Sequence, residues 1–148
     1  MKQTKILFCW SGGGFPGVDI HIGIWKALEE KHIYADANAG TSAGAIIAAL
    51  NSSGRSCATA EKIVRSLRDK DIRRERIAWK LRMFWLPSFL SLKPIEKILS
   101  RLLPGTFGKL LKPLSVFCTV DKTGDPAEIR TGDLPQAEDR QGEHILDL

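Results

Sequence analysis

The chain has 148 residues, 43% of them apolar and 26% charged, with a formal net charge of +5. That size and balance suit one folded domain with a real core and exclude a wholly disordered chain. Cys9, Cys57 and Cys118 are odd in number and share no metal-ligand or redox spacing, so the expectation is no disulfide scaffold, no zinc site and a reducing, cytoplasmic compartment. In chain order, KILFCW (5–10) predicts a short buried strand that stops at glycines. SGGGFPG (11–17) predicts a loop, because consecutive glycines disfavour helix and strand alike. Val18, Ile22, Trp25 and Leu28 recur with helical spacing and predict an amphipathic helix over 18–32. IYADANAG (33–40) predicts a second short strand. TSAGAIIAALNSSG (41–54) predicts a small-residue interior helix closed by Gly54. A further helix is expected over 57–70 and another between Pro94 and Pro104. PLSVFCTV (113–120) predicts a strand, DKTGDP a turn, and AEIRTG a return strand. Strands alternating with helices imply an α/β layered fold with a mostly parallel sheet flanked by helices. Apolar patterning fades after Pro135, so the domain is placed at 1–135 and an atypical polar tail at 136–148.

Charge is segregated along the chain. Residues 1–54 balance to zero, 55–112 sum to +10, and 113–148 sum to −5. Lys80 and Arg82 are interleaved with Trp79, Met83, Phe84, Trp85 and Phe89, so the basic-aromatic segment 76–112 suits either a solvated helical face or peripheral contact with an anionic membrane. A nucleic-acid interface is disfavoured because no reading motif accompanies the basic residues. The apolar run Ile6 to Trp10 is too short for a signal-peptide core, and no stretch has the length of a bilayer span.

Gly40-Thr41-Ser42-Ala43-Gly44 matches G-x-S-x-G. In a nucleophile elbow a serine projects from a sharp strand-to-helix turn, where side chains two residues before and after it would collide. The helix that follows aims its positive N-terminal end at the reacting carbonyl. A plain serine N-cap would produce the same five residues. Upstream, Gly12-Gly13-Gly14-Phe15-Pro16-Gly17 follows the first strand, and its free N–H groups suit either an oxyanion or a phosphate. The phosphate reading fits G-x-G-x-x-G and asks for an acidic residue ending the second strand, for which Asp36 has the spacing. The serine motif that follows favours the oxyanion reading.

This pairing of motifs resembles the patatin-like phospholipases, strongly over 5–54 and more loosely to about residue 135. The resemblance implies a lipid acyl hydrolase with a Ser-Asp dyad and no metal or cofactor. Ser42 would be the nucleophile and Gly12, Gly13 and Gly14 the oxyanion loop, with Gly17, Gly40, Thr41, Ala43 and Gly44 completing the motifs. The family's aspartate lies in D-G-G or D-G-A, whereas this sequence has no Asp-Gly pair. The late aspartates Asp121, Asp125, Asp133, Asp139 and Asp147 match no such motif, so none is assigned as base, and the domain is expected to be incomplete. Two function classes follow: an esterase or phospholipase, or a catalytically incomplete remnant that at most binds lipid surfaces. A Ser42–Asp133–His144 triad is the weaker hydrolase alternative, since Ser42 follows only two strands. His21 and His32 are expected at the surface or the core boundary.

Overall fold

The computed structural model describes residues 5–66, 99–120 and 123–132. The order of elements is strand β1 (Leu7–Trp10), helix α1 (Gly14–Glu30), strand β2 (Ala37–Thr41), helix α2 (Ala43–Ser52), a 3-10 turn (Phe107–Lys109), and strands β3 (Leu114–Thr119) and β4 (Pro126–Ile129). Residues 57–66 and 99–102 are also helical. The four strands lie in the order β1-β2-β3-β4. β1/β2 and β2/β3 pair in parallel, and β4 returns antiparallel to β3 across a turn that contains Gly124 at φ 73°. The expected α/β architecture, a mostly parallel sheet flanked by helices, is the one observed.

Parallel pairing forces α1 to cross over between β1 and β2, and it brings the C-terminal ends of the first three strands to one end of the sheet. The core lies between the helices and one sheet face. Trp10, Val18, Ile22, Trp25, Ile47, Leu50, Leu114 and Val116 form its centre. Ile47 and Leu50 of α2 are fully buried, each contributing about 2 kcal/mol of apolar burial. α2 is an interior helix, as its small residues predict: nine of its ten residues are buried.

Two boundaries differ from the sequence expectation. α1 begins at Gly14, inside the stretch read as a loop. The first turn of a helix leaves its N–H groups unbonded in any case, so Pro16 costs nothing there. Gly13 at φ 141° and Gly14 at φ 59° supply the sharp entry, and the Gly17 N–H donates to the Gly13 carbonyl at 3.0 Å. β2 is shorter than expected and starts at Ala37, because the chain from Ile33 is still closing the α1 end through the Ile33 N–H bond to Leu28. The predicted helix over 57–70 is helical as far as residue 66; the remainder, together with most of the predicted helix from Pro94, lies outside the described residues.

Asn38 occupies the middle of β2, where its residue type weakens a strand prediction. It is 1% exposed, and both polar atoms of its amide are hydrogen-bonded. Its Oδ1 accepts from Trp10 Nε1 at 3.1 Å, and its Nδ2 donates to Asn51 Oδ1 and Ser52 Oγ, both at 3.0 Å. One buried side chain thus ties β1, β2 and the end of α2 together. Among the described residues, no helix is long and apolar enough to cross a membrane.

Candidate active site

β2 runs directly into α2 through Ser42, which carries φ 50° and ψ −129°. A non-glycine residue in that region is strained by about 1–3 kcal/mol. Its side chain makes no capping hydrogen bond, although it stands at the N-cap of α2. A serine retained only as a cap would adopt extended backbone and bond an N–H of the first turn; Ser42 does neither. The flanking glycines explain how the turn is tolerated. A Cβ on Gly40 would lie 2.6 Å from the Gly44 carbonyl oxygen and 2.8 Å from the Ala45 Cα. A Cβ on Gly44 would collide with the carbonyls of Trp10 and Ser11 at the end of β1. Thr41 ends β2, and Ala43 is buried as the first residue of α2. The elbow is therefore a crossing of three backbones that admits no side chain at either glycine.

The glycine loop meets this elbow from β1. A Cβ added to Gly12 would stand 3.4 Å from the Ser42 Cβ and 3.9 Å from its Oγ. Gly13 and Gly14 follow as the N-cap and first residue of α1, and Gly17 closes the loop from behind, its Cβ direction 3.3 Å from the Gly12 carbonyl oxygen. Among the described residues, the Gly12 and Gly13 N–H groups donate to no backbone carbonyl. The N-termini of α1 and α2 thus both converge on the end of the sheet where Ser42 sits. Unbonded N–H groups and two helix dipoles stabilise negative charge at such a place.

The same topology decides against dinucleotide binding. Asp36 precedes β2 and its Oδ2 accepts the Ile6 N–H at 2.7 Å, so it sits at the start of both strands and away from the glycine loop. A ribose-binding carboxylate belongs at the far end of that strand. His21 departs from the expected surface or boundary position. It is buried at 7% exposure, with Nε2 donating to the Ser11 carbonyl at 2.7 Å and its ring edge-on to Trp10. Helical spacing could have found it, since His21 falls one turn before Trp25 on the buried face. His32 is exposed at φ 56° just past α1.

Of the described aspartates, Asp36 is at the wrong end, Asp19 is exposed on α1, and Asp125 is exposed in the β3–β4 turn at the same end as Ser42. Asp121, Asp133, Asp139, Asp147 and His144 lie outside the described residues, as does 76–98 of the basic-aromatic segment. Among the described residues no group of three His, Cys, Asp or Glu converges as a metal site. A cleft of about 260 Å³ lined by Phe8, Trp25, Tyr34, Arg55 and Lys112 opens at the other end of the sheet, remote from the elbow.

The family model of the patatin-like phospholipases matches residues 8–144, nearly the whole chain. No curated protein matches it. A strand–glycine loop–helix unit followed by a strand–elbow–helix unit, within a family match of that extent, makes this chain a member of the patatin-like phospholipase family of lipid acyl hydrolases.

Proposed function

We propose that the protein is a serine esterase acting on lipid acyl esters, with Ser42 as its nucleophile. The observation that carries this reading is the backbone of Ser42: φ 50° and ψ −129°, with an uncapped side chain against Gly12. Strain of that kind persists where the surrounding structure holds it for use. In the proposed reaction the Ser42 Oγ attacks the acyl carbonyl carbon, and its proton passes to a carboxylate base. The carbonyl electron pair moves onto oxygen, where the N–H groups of Gly12, Gly13 and Gly14 receive it. Collapse of the tetrahedral intermediate expels the alcohol with a proton and leaves an acyl-serine, which water then hydrolyses.

The absence of an Asp-Gly pair from the sequence favours a second reading, a remnant with elbow and oxyanion loop but no base. Loss of one member of such a catalytic unit costs about four to six orders of magnitude in rate. Hydrolysis of a short-chain p-nitrophenyl ester by the chain, beside Ser42→Ala and with circular dichroism on both, separates the two. Turnover that disappears in Ser42→Ala supports the esterase. Single Asp→Asn replacements at Asp121, Asp125, Asp133, Asp139 and Asp147 then locate the base. No turnover from a folded chain supports the remnant. Contact with anionic lipid through 76–112, in a cytoplasmic protein, is part of the same proposal; within its described part Arg101, Lys109 and Leu111 are exposed. Sedimentation with phosphatidylserine vesicles but not phosphatidylcholine vesicles is the expected result.

A further inference from the structure

His21 makes a contact that the site described above does not account for. It lies in the second turn of α1, almost wholly buried, and its ring is held edge-on against Trp10 with centroids 5.5 Å apart at 77°. Trp10 is itself pinned through Nε1 to Asn38, so the imidazole has a fixed wall on that side. Nε2 stands 2.7 Å from the Ser11 carbonyl oxygen. A carbonyl only accepts, so Nε2 carries the proton and donates. This bond reaches from α1 back to the loop that α1 itself follows, ten residues earlier.

Ser11 is the last residue before the glycines, and its carbonyl belongs to the peptide whose N–H is that of Gly12. The described chain has no cis peptide bond, and in a trans peptide the C=O and N–H point in opposite directions. The Ser11 oxygen faces the buried His21 ring and occupies the space that a Cβ on Gly44 would need. The Gly12 N–H must therefore face the opposite way, out of the interior, from a residue that lies against Ser42. Glycine-rich backbone has many orientations open to it. An external bond that selects one of them is what a preformed oxyanion donor requires.

We infer that His21 is a positioning residue: by holding the Ser11 carbonyl it fixes the orientation of the Ser11–Gly12 peptide and so presents the Gly12 N–H to the Ser42 site. This inference rests on the reading of Ser42 as nucleophile for its consequence in rate, but the orientation of the peptide stands apart from it. It assigns His21 no part in proton transfer.

The test uses the full chain as wild type, His21→Phe and His21→Met, which remove the donor and keep apolar bulk, and His21→Gln, whose amide N–H can replace Nε2–H. Two quantities are read: the rate of labelling of Ser42 by a fluorophosphonate, and the nitrogen-15 spectrum of the His21 ring and the Gly12 amide. The expected result is a ring that carries a proton on Nε2 in wild type. Loss of the donor should slow labelling about tenfold or more, since a misdirected oxyanion donor is lost to catalysis, and shift the Gly12 amide resonance; His21→Gln should recover both. A folded His21→Phe or His21→Met that labels at the wild-type rate, or a ring with no proton on Nε2, overturns the inference. If wild type itself does not label, the nucleophile reading fails, and the Gly12 resonance alone decides: unchanged in the donor-less variants, it overturns the role of His21; shifted and recovered by Gln, it upholds it. If neither apolar variant folds, His21→Gln decides through the same two readings, and a Gln variant with a displaced Gly12 resonance but unchanged labelling overturns it.

Discussion

Gly12 and Ser42 leave the sheet from adjacent parallel strands and meet at its C-terminal end, where a methyl group on Gly12 would stand 3.4 Å from the Ser42 Cβ. Backbone excludes a side chain at Gly40 and Gly44 but not at Gly12, and mutation should separate them. Gly40→Ala and Gly44→Ala force a Cβ into backbone atoms that cannot move independently. Each is expected to cost about 3 kcal/mol or more by overpacking, read as a fall in the urea midpoint. At Gly12 the new methyl would make ordinary contact. Gly12→Ala should stay folded, losing less than about 1 kcal/mol, while slowing reaction at Ser42 by crowding its side chain.

Ser42 should be a residue whose removal stabilises the protein. Glycine adopts φ 50°, ψ −129° without a Cβ penalty, whereas serine pays for it. Relief of strain outweighs the added freedom of the unfolded chain, so Ser42→Gly is expected to raise stability by about 1 kcal/mol. Ser42→Ala, which keeps the Cβ, should leave stability within about 0.5 kcal/mol of wild type. Thermal melts of both variants read the difference. A Ser42→Gly less stable than Ser42→Ala would mean that the elbow is not strained.

Asn38 is the polar centre of the core. Asn38→Leu leaves Trp10 Nε1 and Ser52 Oγ without their partner, while Asn51 Oδ1 keeps Lys112 Nζ at 3.3 Å. Orphaned buried groups cost about 1–3 kcal/mol each, so a loss of about 3 kcal/mol in urea unfolding is expected. Because Trp10 forms the wall behind His21, the same variant should also slow labelling of Ser42.

Cys57 is 2% exposed, and its Sγ–H donates to the Ile22 carbonyl at 3.4 Å. Burial, with added repulsion from Glu29 and Glu61, pushes its thiol up to about 11 from an ordinary 9.0. Native protein at pH 8 should therefore be alkylated by iodoacetamide at exposed Cys9 and not at Cys57. Below the ordinary thiol value both folded and unfolded Cys57 hold their proton, and Cys57 contributes no pH dependence. Between about 9 and 11 the unfolded thiol ionises while the native one does not, so stability falls as pH rises. Cys57→Ala should flatten that decline in urea titrations run from pH 8 to 11.

Strand–helix alternation, the two glycine motifs and the interior character of α2 were legible in the sequence because each has a local cause. Small residues at 43–49 fit only against a sheet, and glycines at 40 and 44 sit where backbone crosses backbone. What escaped the sequence were residues whose role is set by partners distant in the chain. Asn38 reads as a weak strand former until Trp10, Asn51 and Ser52 surround it. His21 reads as a boundary residue until the entry of α1 turns it back onto Ser11. Gly14 reads as loop because helix propensity ignores the N–H groups that the first turn leaves free. Asp36 has the spacing of a ribose ligand but falls before its strand, a difference of a few residues that spacing alone does not resolve.

Ser42 is proposed as a nucleophile facing a preformed oxyanion site. The most direct test is fluorophosphonate labelling of the folded chain, with intact-mass analysis and peptide mapping. A single adduct on the Ser42 hydroxyl, absent from Ser42→Ala, is the expected result. An adduct on another residue, equal labelling of Ser42→Ala, or no adduct on a chain shown to be folded would contradict it.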